Sequence, residues 1–172
     1  GRERLAEVID LYRQATSQTE ATGIQVVNRV SAGTVAICGE NRTKTMERAA
    51  GIIDWYRAQG VIRDVKVWQE QDPDDVPEDY RWHYQRSTAE DSSKRNEVPS
   101  LDLIKQGRYC IGDPDDCIRF LEEYETAGLD EVIPLFQIGT ATHEEVMETL
   151  RLFGEHVIPH FQRREAAAEG GP

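Results

Sequence analysis

Apolar residues recur at helical spacing from the start of the chain. Leu5, Val8, Ile9, Tyr12 and Ala15 fall on one face of a helix running from Arg2 to about Gln18. A polar stretch, Thr16–Thr22, and Gly23 close it. The β-branched run that follows, Ile24 to Cys38, carries Val26, Val27, Val30, Thr34, Val35 and Ile37. It predicts a buried strand at Gly33–Cys38, with Gln25–Val30 as lead-in and Ser31-Ala32-Gly33 as an interruption. Gly39-Glu40-Asn41 reads as a turn. The next helix is expected from Thr43 to Ala58, with Met46, Ala49, Ala50, Ile53 and Tyr56 inward and Gly60 as its stop.

The pattern breaks over residues 69–98. That stretch is charged, poor in aliphatics and punctuated by Pro73 and Pro77, with Pro99 just beyond it. A connection of such length reads as a lid, a binding loop or a disordered insertion. An aromatic island inside it, Tyr80, Trp82, His83 and Tyr84, predicts a short docked helix, with high mobility expected at Glu90–Glu97. Regularity returns after Pro99. Ser100 caps a short helix, Leu101–Gln106, and Gly107 ends it. A strand follows at Arg108–Ile111. Asp113 as N-cap and Pro114 at the first helical position open a helix with Cys117, Ile118, Leu121 and Tyr124 inward, and Gly128 ends it. Glu131–Ile138 is the next strand. Thr142-His143-Glu144-Glu145 is a capping box, and the helix it opens presents Val146, Leu150, Phe153, Val157 and Phe161. The tail, Gln162–Pro172, reads as disordered. Strand, helix, strand, helix with short joins means a parallel sheet in an α/β fold, open or closed.

Composition narrows the function classes. The chain has 172 residues, enough for one core, and its apolar fraction of 38% is that of a globular protein. Its net charge of −12 disfavours nucleic acid as a partner. No apolar run is long enough to span a membrane, and no signal peptide is recognisable. The three cysteines, Cys38, Cys110 and Cys117, lack metal or CxxC spacing, which suggests reduced thiols and a cytoplasmic setting. Cys38 and Cys110, placed on strands, read as packed thiols.

The segment Gly112–Phe161 resembles the last two βα units of bacterial-luciferase-like flavin-dependent monooxygenases. The G-D-P-D turn, the A-G-L-D-E step, the H-E-E helix start and L-F-G-E-H-V-I-P-H-F occur in that family's order. Upstream, LAEVIDLYRQA and AGTVAICGENRTKTMERAAGIIDWY are similar to its fifth helix, sixth strand and sixth helix. The resemblance covers about residues 2–162, with 69–98 in the place of a family insertion. It implies a partial TIM-type (β/α)8 barrel, roughly strands six to eight, lacking the first half. Open sheet edges invite pairing, so either another polypeptide supplies the rest, or the chain is a proteolytic remnant, or it self-associates. It further implies reduced FMN, or a deazaflavin, as cofactor, a small organic substrate with O2, and a flavin reductase as electron source. The fragment alone is expected to be inactive. A non-catalytic α/β association module and a deazaflavin hydride-transfer enzyme are the alternatives.

In such barrels ligands meet the carboxyl ends of the strands, here Cys38–Asn41, Gly112–Asp113 and Gln137–Thr142. Gln137 and Gly139 are then candidates to line the flavin or substrate pocket, or else bond neighbouring backbone and permit a turn. His143, in the first turn of a helix, is the one catalytic candidate, against the reading of an ordinary exposed residue. Trp82, His83 and Tyr84 are lid or substrate candidates. Asp113, Asp115 and Asp116 mimic a metal cluster, but carboxylates at a helix start stabilise its dipole, so no metal is expected. His156 and His160 read as structural. No GxSxG, P-loop, GxGxxG or HExxH pattern occurs.

Overall fold

A computed structural model describes residues 2–20, 23–24, 27–88 and 98–169. Helix α1 (Arg2–Ser17) precedes strand β1 (Ser31–Cys38) and a long helix α2 (Arg42–Gln69). Two short 3-10 turns, Pro73–Asp75 and Glu78–Tyr80, lead into α3 (Arg81–Thr88). After 89–97, which lie outside the described residues together with the mobility expected at Glu90–Glu97, come α4 (Ser100–Lys105), β2 (Cys110–Gly112), α5 (Pro114–Thr126) and β3 (Glu131–Leu135). Helix α6 (His143–Leu152) passes through a π-helical turn, Phe153–Val157, into α7 (Ile158–Glu169).

The sheet has the order β2-β1-β3 and both pairings are parallel. Ala36 pairs with Cys110, and Ser31 through Val35 pair with Glu131 through Leu135. Three consecutive barrel strands would instead lie side by side in chain order. Among the described residues the sheet is open, and the structure is a small parallel sheet within a mixed α/β fold. The alternation of β1 shows why it sits in the middle. Val35 and Ile37 pack with Ala49, Ile52 and Ile53 of α2, while Ala36 and Cys38 pack with Cys117 and Phe120 of α5 and with Leu152 and Val157. A strand buried on both faces needs two apolar sides, and burying a side chain such as Ile53 stabilises by about 1.5–3 kcal/mol. Pro134, which cannot donate to a ladder, is tolerated because β3 is an edge.

Several expected boundaries move. Ser31-Ala32-Gly33 belongs to β1 rather than interrupting it. Helix α2 runs through Gly60 to Gln69. A glycine ends a helix only where it turns left-handed, and the apolar pattern resumes beyond Gly60 up to Trp68, whose ring meets Tyr80 and Tyr84 at 6.1 and 6.4 Å. Ser100 is not a cap but the first residue of α4, where its hydroxyl donates to Asp54. The second strand is Cys110–Gly112 rather than Arg108–Ile111, and the third stops at Leu135. The tail taken as disordered is helical to Glu169, and residues 170–172 lie outside the described ones. Pro159 accounts for the π-turn: it cannot donate to the turn before it, so the ladder widens and the Ile158 N–H donates to Phe153 O.

Among the α1 residues whose burial is described, only Ile9 is fully buried, while Val8, Leu11 and Tyr12 remain exposed. Arg13 fixes the helix to the β3 approach by donating to Gly128 O at 2.7 Å.

Candidate functional site

Strand order determines where a ligand would go. In an open parallel sheet, crevices form at the carboxyl ends of strands where successive connections leave in opposite directions. With the order β2-β1-β3, that point lies between β1 and β3. A cavity of about 230 Å³ opens beside the end of β1, lined by Asn41, Lys44 and Arg48 from the start of α2 and by Glu145 and Glu148 from α6.

Each lining residue is placed by local chemistry. Asn41 caps α2, its side chain accepting from the Lys44 N–H at 3.0 Å. Thr142 caps α6 through a capping box: its hydroxyl accepts from Glu145 N–H while the Glu145 carboxylate accepts from Thr142 N–H at 2.7 Å. That box aims Glu145 at Arg48, whose Nε donates to it at 2.6 Å and whose terminal nitrogen donates to Thr140 O at 2.7 Å. Arg48 thus ties α2 to the loop after β3. One helical turn further, buried Thr149 holds the end of β1: its hydroxyl accepts from Cys38 N–H at 3.0 Å and donates to Cys38 O at 3.1 Å. Lys44 has no acceptor for its ammonium among the described residues.

Partial burial pushes the Glu145 carboxyl up, but the hydrogen bond from Arg48 and the Thr142 backbone outweigh it, so the group is held below the ordinary carboxylate range. A lowered folded-state value gives stability that is present above the unfolded value and lost as pH falls through the folded one. Glu145→Gln is therefore expected to flatten the acid limb of a pH–stability curve below about pH 4.5, as read by urea midpoints at several pH values. An unchanged limb would show that the Arg48 contact contributes nothing. Cys38 is no nucleophile here: hydrogen bonding with Cys117, then burial, pushes its thiol far up and keeps it protonated.

The residues expected from sequence divide between two places. Gln137, Gly139 and His143 all lie at this end of the sheet and are exposed on the rim, with the cavity wall formed by Glu145 and Glu148 rather than by His143. Gly139 adopts a φ of 51°, and a Cβ there would strike the Trp55 ring, so the indole of α2 lies directly on the loop. Trp82, His83 and Tyr84 are elsewhere. Their helix packs on Trp68, 24 residues beyond Lys44 and so about 36 Å along the α2 axis at 1.5 Å per residue. His160 bonds Glu122 at 2.9 Å on the α5–α7 surface. No group of His, Cys, Asp and Glu among the described residues is arranged to hold a metal, and none of the described helices is long and apolar enough to cross a membrane.

No family model matches the chain, and no curated protein does. A solved structure, the monooxygenase RslO1 from Streptomyces bottropensis, shares the fold: TM-score 0.55 at 17% identity, over 93% of this chain and 39% of that one. The chain thus spans about two fifths of that neighbour's length.

Proposed function

We propose that this chain is the C-terminal part of a flavin-dependent monooxygenase of the bacterial-luciferase-like kind, and that its β1–β3 cleft forms one wall of the flavin or substrate site. The observation that carries the reading is the likeness of fold to a monooxygenase over 93% of the chain. The ordered motifs of Gly112–Phe161 support it. In this reading β1, β2 and β3 are the sixth to eighth strands of a TIM-type barrel, and the order β2-β1-β3 is what they adopt when the remaining strands are absent and β1 has two free edges to satisfy.

The cleft fits a flavin only in part. Its 230 Å³ is below the roughly 300–1,000 Å³ of pockets that enclose a ligand of that size. Lys44 supplies a cationic donor and Gln137 an amide, beside the carboxylates of Glu145 and Glu148, which suit a polar ligand at the rim. The flavin, when bound, supplies the chemistry with O2. The chain's own residues orient and hold: Arg48 and Thr149 fix the cleft wall, and His143 stands at the rim where a proton could be exchanged with substrate.

The test uses the full product of the reading frame that contains this chain, supplied with chemically reduced FMN under ¹⁸O2 and candidate organic substrates. Incorporation of one ¹⁸O atom into product is the expected result. A product that neither binds FMN nor consumes O2 overturns the proposal, and hydride transfer without O2 would assign the deazaflavin branch instead. The isolated chain is expected to bind FMN weakly or not at all by calorimetry, since the cleft is one wall only. A tight stoichiometric complex would show that no further polypeptide is needed.

A further inference from the structure

A second cavity, of about 170 Å³, lies along the free edge of β2, between the start of α2, the end of α4 and the first turns of α5. Its chemistry differs from that of the molecule around it. The chain carries a net charge of −12, yet this cavity is lined by Arg42, Lys105 and Arg119 against Asp116 and Glu123. We propose that it binds a phosphoryl dianion, either inorganic phosphate or the phosphate of a small ester.

The arrangement is built rather than incidental. Asp116 is almost fully buried, with 8% of its side chain exposed. It accepts from Arg42 Nε at 2.7 Å through one oxygen and from an Arg119 terminal nitrogen through the other. One carboxylate therefore fixes two guanidiniums that arrive from different helices, and it neutralises only one of them. Each guanidinium uses a single nitrogen on Asp116, so the remaining nitrogens of both, and the Lys105 ammonium, have no acceptor among the described residues. With Glu123 counted, the lining sets three cations against two carboxylates, and a fork of N–H donors of this kind suits phosphate oxygens. Asp113 also sits near Arg42, and its carboxylate, which accepts from the Asp116 N–H in the helix cap, keeps its negative charge there.

The floor strengthens the case. Met46, Ile104, Ile111 and Phe120 are apolar and buried, which lowers the local dielectric beneath the donors. Tyr109 lines the same cavity, and burial pushes its phenol up, so it stays a neutral O–H donor at working pH. At about 30 Å³ per water the volume holds five or six waters, room for one tetrahedral anion together with a few waters.

The test is calorimetric titration of the chain with inorganic phosphate at pH 7.5, with acetate and chloride titrated at matched ionic strength. Saturable binding of phosphate is expected, with a millimolar dissociation constant and no comparable signal from the other two anions. Lys105→Gln, whose ammonium holds no partner, is expected to weaken phosphate about threefold, and Arg119→Gln, which leaves Arg42 on Asp116, about tenfold. Arg164→Gln, on the far side of α5 beside Glu122 and Glu125, should bind as the wild type does. Phosphate that behaves like chloride, acetate that binds equally well, or wild-type affinity in both the Lys105 and Arg119 variants would each overturn the proposal. A folded baseline by circular dichroism accompanies every variant, and the Lys105 result stands even if the Arg119 variant fails to fold. None of these outcomes depends on flavin binding.

Discussion

Gly112→Ala is expected to destabilise the chain by about 3 kcal/mol, more than any other single addition of a methyl group at its described glycines. Gly112 ends β2, and its carbonyl accepts from Gly39 N–H at 3.1 Å, so it joins the carboxyl ends of two strands. Its φ of +154° is a backbone conformation that L side chains rarely adopt, so torsional strain adds to the lack of space. A Cβ there would come within 2.6 Å of Asp116 Cβ and 2.8 Å of its Cγ. Such a clash is cheap only where the neighbour can swing away, and Asp116 cannot. It closes the capping box of α5 with Asp113 and accepts from both Arg42 and Arg119. Relief would displace the box, worth about 1 kcal/mol, in addition to overpacking of about 1–3 kcal/mol. Gly51→Ala is the control. Nothing lies within 4 Å of a Cβ at that position in mid-α2, so it should stabilise by about 0.5–1 kcal/mol. Urea unfolding with unchanged slope measures both. A Gly112 variant within about 0.5 kcal/mol of wild type would mean that Asp116 is free to move.

Local chemistry made part of this legible in the sequence. The Asp113–Pro114 start, the Thr142–Glu145 capping box and the parallel α/β alternation follow from neighbouring residues, and the structure has each of them. Gly60 shows the limit of the same reasoning. A glycine is a stop signal only by statistics, and Trp68 docking on Tyr80 and Tyr84 provides a reason to extend α2 that no local window contains. The sheet order was not legible at all. Joining Ser31 to Glu131 closes a loop of about one hundred residues, and nothing in either strand names the other.

The site follows the same division. The position of the loop Gln137–Thr142 and of His143 at the strand end was legible because short joins are visible in sequence. Arg48 was not, because its role depends on Glu145 and Thr140, 97 and 92 residues away. Lys44 and Glu148 were missed for the same reason. The only available hint was that Glu145, already committed to a cap, still had a second oxygen for a cation.

Thr149→Val is expected to cost about 2 kcal/mol, whereas Thr149→Ser should cost less than about 1 kcal/mol. Valine keeps the shape and removes the hydroxyl, so the two bonds to the Cys38 N–H and C=O go together. Thr149 is 1% exposed, and water cannot replace what is lost there. A buried backbone group left with one partner fewer costs about 1–3 kcal/mol. Serine keeps both bonds and gives up only a methyl, about 0.8 kcal/mol of buried CH₂ at most. The difference between the two variants therefore isolates the hydroxyl. The effect should also be local: Cys38 is the last residue of β1, so losing its clamp loosens the carboxyl end of the strand where the cleft opens. Hydrogen exchange in the valine variant should accelerate at Cys38 and Gly39 while the Ile52–Ile53 turn of α2 keeps its protection. Equal stability of the valine and serine variants, or exchange that rises uniformly over β1 and α2, would show that Thr149 is a packing residue and that the cleft wall does not depend on its hydroxyl.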